Sequence, residues 1–491
     1  MKRACAVVCA SLTLLLGGAA GAQPLAPCEL PEDPPLVAEL RRDLGVFAGD
    51  AFEGRAPGNL SGVDFLVREL TALGVEPAGT DGYLQPFTVS YGEALTPTSR
   101  VRLTRGGEVR ELSPGPELLL GPGGAPGRAE RGLVYVGHGL SSERAGWDEW
   151  RGANVRSRVV LILGGVPTVP DPLRQEALAQ VSVRDRVATA ARRGAAAVLV
   201  VEPDAGALPD RYAVGASSGI PVVRITRSQG AWLLGVTEAS LAGQSAPALP
   251  SRVPGVSVRL DVQTQRRTRE TVNVLGLVRG AAPTRDAGLA PVETSGALVV
   301  GAHHDHLGHG GGSSRAAGYD TIHNGADDNG SGSMAVLALA RRVQRARLPR
   351  DLVVAWFGGE ELGLLGSEHF VAHRPPAAAE LRAMVNLDMV GRLRDCRLYV
   401  EGRDSSPTIN PAVDRANTTG FDTRPWDVVR HGPWGRSDHH SFQDAGVPVA
   451  FLFTGLHPDY HRPEDDPDRI VYPGLAAVVT FAERLLRELA R

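Results

Sequence analysis

Apolar positions along this chain recur in two rhythms. Phe65, Leu66, Leu70 and Leu73 sit at helical spacing with Gly74 behind them, which predicts a helix stopped by glycine. Strand-like runs follow around Phe87 to Val89 and Val101 to Leu103. A stretch rich in Gly and Pro over 113–128 marks a boundary. Beyond it lies a self-contained α/β pattern. Runs at Leu133 to Val136, Val159 to Leu163, Ala197 to Val201 and Ile220 to Val223 read as buried strands, and Val183 to Arg193 reads as a helix closed by Gly194. A second boundary falls near Pro250 to Pro254.

From Thr271 the character changes. Val272 to Val278, Ala297 to Val300, Leu352 to Phe357, Met384 to Leu387 and Val449 to Phe453 are apolar runs of strand length, with helical stretches such as Ser333 to Val343 between several of them. This alternation predicts an α/β fold: a mostly parallel mixed sheet flanked by helices, with a smaller α/β domain inserted. Ligands of such sheets bind beyond the carboxyl ends of the strands. Residues 23 to about 47, rich in Pro and charge, are expected to wrap the surface before a first helix.

Acids and histidines gather where the strands end. Five segments carry them: Ala302-His303-His304-Asp305-His306, Gly325-Ala326-Asp327-Asp328-Asn329-Gly330, Gly359-Glu360-Glu361-Leu362-Gly363, Asn386-Leu387-Asp388-Met389 and Pro458-Asp459-Tyr460-His461. Each alone has an ordinary explanation. Asp327 to Gly330 fits a turn before a helix, Glu360 and Glu361 suit a helix N-terminus, and the histidines from 303 to 309 fit a solvated loop. Together they supply two histidines and three carboxylates as metal ligands, with a spare Glu beside one of them. That is the inventory of a two-metal hydrolase.

The bulk numbers narrow the partners. The 491 residues exceed one ordinary domain, and 43% hydrophobic with 22% charged content suits a globular protein with a large core. A net charge of -3 offers no basic excess for nucleic acid or anionic lipid. Residues 1–22 read as a secretory signal: Lys2 and Arg3, an apolar run from Ala4 to Leu16, then Ala20-Gly21-Ala22 before Gln23. The expected location is therefore secreted or periplasmic. No later stretch is apolar enough to cross a bilayer, so no integral membrane segment remains after cleavage. Cys28 and Cys396 remain in the mature chain, and an oxidising compartment would permit them to pair.

The combined pattern resembles the family-28 co-catalytic zinc metallopeptidases, which include bacterial aminopeptidases and the glutamate carboxypeptidases. Phe52-Glu53-Gly54-Arg55 resembles that family's N-terminal signature, residues 129–255 its inserted protease-associated domain, and Asn273-Val274 the strand that re-enters the peptidase domain. The organisation then expected is a signal over 1–22, an N-terminal peptidase portion over 23–115, the protease-associated domain over 116–265 and the peptidase domain proper over 266–491. The resemblance implies two zinc ions. His303 and Asp388 would hold one, Glu361 and His461 the other, with Asp327 bridging both. Asp305 would orient His303, and Glu360 would be the general base. The Asp327–Asp328 peptide bond would be cis. Tyr460 is a candidate to stabilise the oxyanion. Ser437-Asp438-His439 would support the site from behind. His304, His306, His309 and His323 receive no role.

These residue types suit the chemistry. Imidazole and carboxylate bind zinc, and two ions can share one hydroxide while polarising a carbonyl. The expected function is a secreted zinc exopeptidase, foremost an aminopeptidase acting on peptides. Arg392, Arg394, Arg403 and Arg436 lie near the motifs and leave a carboxypeptidase open. Further alternatives are a glutaminyl cyclase on the same scaffold and a non-catalytic receptor or binding protein.

Overall fold

The computed structural model describes residue 30 and residues 33–179, 181–208, 217–242, 251–281, 296–310, 313–315, 321–424 and 437–491. The expected signal over 1–22 and Cys28 lie outside them, as does Arg436. Cys396 is disulfide-bonded, its partner lying outside the described residues.

Among the described residues, the larger of two main sheets has nine strands. Its centre is parallel: Leu352–Phe357, Ala297–His303, Leu381–Leu387 and Val449–Phe453 lie side by side in that order. All six residues of Leu352–Phe357 are buried, as a parallel strand covered on both faces requires. Antiparallel strands flank this centre, Thr264–Val278 on one side and Arg397–Glu401 on the other. The class expected from the sequence is therefore the class observed.

Helices cover both faces. On one, Gly332–Arg345 and Tyr472–Leu489 carry Leu337, Val343, Val478 and Phe481 into the main core. On the other, Phe370 and Phe442 close over Phe357. The helix expected from Phe65 spans Ser61–Leu73, and Gly74 ends it at φ 65°, a conformation glycine adopts without strain. The expectation for 23–47 is corrected: Pro34–Phe47 is itself a helix. Proline is tolerated in a first turn, and the Asp33 carboxylate accepts the Leu36 amide at 3.1 Å. Leu36, Leu40, Leu44 and Phe47 form the buried stripe that holds it. Arg341 pairs with Glu39 and Glu69, each at 2.8 Å, and so ties both N-terminal helices to the central one.

The smaller sheet has eight strands among the described residues and its own core around Leu161, Leu199 and Val223. Strands Arg100–Arg105 and Glu108–Leu112 belong to it, pairing through Ser251–Val262. The boundary expected at 115 is therefore corrected. The Gly/Pro stretch there is internal to the smaller sheet, since Leu118–Leu120 beyond it pairs with Val222–Ile225. Among the described residues no helix is long and apolar enough to cross a membrane.

Leu199 is fully buried in this separate core. Leu199→Ala should cost about 2–5 kcal/mol. Denaturant unfolding should show an earlier transition for the smaller domain, with metal uptake by the larger one unchanged.

Candidate metal centre

Four strand ends build the site. His303 is the last residue of Ala297–His303, Glu360 follows Leu352–Phe357 by three positions, Asp388 follows Leu381–Leu387 directly, and His461 lies in the turn after Val449–Phe453. The fifth contribution comes from the turn of Ala326–Ser331, ahead of helix Gly332–Arg345.

The ligand atoms of His303, Glu360 and Asp388 lie within 4.8 Å of one another, and so do those of His306, Asp328 and Glu361. His303 Nε2 is 3.5 Å from Asp388 Oδ1 and 3.9 Å from Glu360 Oε2. His461 Nε2 is 3.3 Å from Glu361 Oε2. Asp328 joins the halves: its Oδ1 is 3.3 Å from His303 Nε2 and its Oδ2 is 3.2 Å from His461 Nε2.

That placement corrects the expected bridge. Asp327 does not face the two histidines. Its Oδ1 accepts the Gly391 amide at 2.6 Å and the Ser331 hydroxyl at 2.9 Å, and its Oδ2 lies 3.2 Å from buried His457. Asp327 thus braces the turn after Asp388, and Asp328 occupies the central position. The cis peptide bond is likewise Asp328–Asn329, not Asp327–Asp328. Adjacent aspartates point different ways, and the residue types alone gave no sign of which one enters the site.

Asp305 is corrected in part. His303 Nδ1 is 3.1 Å from the backbone oxygen of Asp305, against 3.9 Å to its carboxylate. The N–H therefore donates to the carbonyl, and this leaves Nε2 free as a ligand. The carboxylate instead accepts the Glu360 amide at 3.1 Å and holds that loop. Burial pushes the Asp305 carboxyl up to about 6. His461 is oriented in the same fashion, with Nδ1 donating to the Ser313 carbonyl at 3.0 Å.

A frame of hydrogen bonds fixes the turn bearing Asp328. Asp465 Oδ2 accepts the amides of Asp327 at 2.9 Å and Asp328 at 3.1 Å, and Arg392 binds its other oxygen at 3.0 Å. Asn329 donates to Leu387 O and accepts from Gly332 N, tying the turn to the Asp388 strand. Arg55, of the Phe52-Glu53-Gly54-Arg55 segment, is 1% exposed. Its guanidinium donates to four carbonyls: His304 at 3.0 Å, Phe47 at 3.1 Å, Asn324 at 2.6 Å and Gly325 at 2.9 Å. It thereby joins the His303 loop to the Asp328 turn.

The remaining residues lie close by. Tyr460 stacks on His461 at 3.8 Å between centroids. Burial raises its phenol well above the ordinary value, and the Asp328 and Glu361 charges add to that rise. Ser437 accepts from Asn386 at 2.8 Å, and burial pushes the Asp438 carboxyl up to about 7. His304 and His323 are spent on backbone, bonding Val272 O and Thr321 O. His306, which received no role from the sequence, points into the second cluster.

The residues fit a divalent cation. Asp388 Oδ1, Glu361 Oε1 and both ring nitrogens of His306 are buried without a hydrogen-bond partner, a costly state that coordination relieves. Burial lowers proton affinity at His303 and His461, yet neighbouring carboxylates outweigh it and hold both imidazoles well above their ordinary range. An environment that draws protons this way draws cations generally. Imidazole with carboxylate is a donor set for zinc.

Residues 287–485 match the model of peptidase family M28, and residues 130–233 match that of the PA domain. The chain is 38% identical over 148 residues to leupeptin-inactivating enzyme 1 of Streptomyces exfoliatus, covering 29% of this chain and 32% of that protein. It is 29% identical over 280 residues to an aminopeptidase of Pseudomonas aeruginosa, covering 54% of this chain and 44% of that one. The chain thus spans about a third to under a half of these relatives' length. In fold it is similar to a zinc aminopeptidase of Bacillus subtilis, with a TM-score of 0.55 at 21% identity over 94% of this chain and 96% of that one.

Arg55→Met should weaken metal binding by about 10–100-fold, because the two loops lose their common brace. Arg55→Lys should do the same, since an ammonium has three donors and no fork. Competition with a chromophoric chelator measures both.

Proposed function

We propose that the protein is a zinc exopeptidase, foremost an aminopeptidase, with two zinc ions in the site. The observation that carries this is the pair of histidine–carboxylate clusters joined through Asp328. His303, Asp388 and Asp328 would hold one ion, and Glu361, His461 and Asp328 the other. When bound, the pair supplies polarisation of the scissile carbonyl and a water acidic enough to attack at neutral pH.

The chain's own residues do the rest. Glu360 takes the proton of that water and passes it to the leaving amine, a step typically worth ~10²–10⁴-fold. Burial pushes its carboxyl well above the ordinary range, with His303 opposing and Glu361, Asp388 and Asp438 adding to the rise. Its loop is fixed by the amide bond to Asp305. Tyr460 keeps its proton and donates to the developing oxyanion. Peptides are the substrates, and export follows from the leader read in residues 1–22.

The surrounding charge favours a free amine over a carboxylate as the recognised terminus. Arg392 is committed to Asp459 and Asp465, and Arg403 to Asp414. One observation favours a carboxypeptidase instead: the Arg315 guanidinium stacks over Tyr460 at 4.7 Å.

Hydrolysis of N-terminally free and N-blocked peptides by residues 23–491 decides between them. Cleavage of free N-termini alone, abolished by chelator and restored by zinc, is the expected result. Release of C-terminal residues from blocked peptides would establish the carboxypeptidase, and no turnover with two zinc ions bound would sink both readings. Glu360→Gln should lower kcat by ~10²–10⁴-fold while retaining its metal content by elemental analysis.

A further inference from the structure

The second cluster contains one more imidazole than the proposed chemistry uses. His306 is 0% exposed, and neither of its ring nitrogens has a hydrogen-bond partner. Its Nδ1 lies 2.7 Å from Glu361 Oε1 and 3.9 Å from Asp328 Oδ2, and its Nε2 has no partner. The neighbouring buried histidines behave otherwise. His304 is bonded to Val272 O at 2.9 Å, and His323 to Thr321 O and Ser314, each at 2.8 Å. A buried ring nitrogen left without a partner costs on the order of 1–3 kcal/mol.

We propose that His306 is a metal ligand, completing the position shared by Glu361, His461 and Asp328. The inference rests on the dinuclear reading above. His306 and His461 meet edge to face with ring centroids 5.8 Å apart, so the imidazoles reach the two carboxylates from different sides. The ring is also fixed in place. The His306 amide donates to Arg55 O at 3.1 Å, and Gly325, at φ 55°, lies against the ring where a Cβ would collide with it.

The consequence is an asymmetric pair. The second position has two imidazoles and two carboxylates, the full set of a four-coordinate zinc site. The first has His303, Asp388 and Asp328 and keeps a place for water or substrate. Closed sites are the structural kind and open ones the catalytic kind. The second ion is therefore the tightly held one, and the first is the exchangeable one.

The test uses the full mature protein, stripped with chelator, labelled with ¹⁵N-histidine and loaded with ¹¹³Cd. Scalar coupling between cadmium and ring nitrogens counts coordinated imidazoles in the unmutated chain. Three coupled imidazoles, those of His303, His461 and His306, are expected. Coupling to His303 and His461 alone would overturn the role of His306 and leave the dinuclear reading standing, whereas no coupled imidazole would overturn both. In zinc competition titrations, His306→Ala should weaken the tighter site by about 100-fold or more and leave the weaker site unchanged. Added imidazole should restore the lost affinity by filling the space vacated by the ring. Affinities within about threefold of the parent at both sites would reduce His306 to a packed ring.

Discussion

Everything at this end of the molecule depends on one electrostatic problem. Asp305, Asp328, Glu360, Glu361, Asp388 and Asp438 converge on a few buried ångströms around His303 and His461. Carboxylates out of water repel one another and forfeit hydration, a cost that pairing or metal coordination must offset. Two imidazolium charges would offset it only in part. A pair of divalent cations balances the set far more completely, so the proposed chemistry and the tolerability of the fold share one cause.

A crowd of like charges holds its shape only if the backbone around it is rigid. The protein solves this with polar groups that never touch the cations. Asp465 grips two successive amides, Asn329 bonds Leu387 O on the next strand, and Arg55 spans four carbonyls from segments far apart in sequence. Phe52-Glu53-Gly54-Arg55 is therefore a structural segment of the site, although it contributes no ligand. Among the described residues, the segment that matches the PA domain adds no donor to either cluster.

Much of this was legible in the residues. Fully apolar runs such as Leu352–Phe357 declared the central strands, and acids placed just past their ends pointed to a shared site. What escaped the reading was orientation. Asp327 and Asp328 are adjacent and identical in type, and only the turn geometry decides that Asp328 enters the site. Asp305 was expected to act through its carboxylate and acts on His303 through its carbonyl. His306 was hidden among neighbours with ordinary backbone bonds. The strands over 100–112 belong with the smaller sheet because Ser251–Val262 returns beside them, a long-range pairing that local pattern does not encode.

Strand Leu84–Leu95 leaves the larger sheet paired along Thr264–Val278, in a register running from Leu84 beside Val274 to Leu95 beside Thr264. The chain thus departs and returns at backbone neighbours, and the whole smaller domain hangs from a two-stranded stalk. Closure entropy grows only with the logarithm of loop length, by about 0.6 kcal/mol per doubling, so a long excursion is tolerated. The graft is modular: the excursion leaves and rejoins the larger sheet at paired strands, away from the strand ends that carry the proposed metal site.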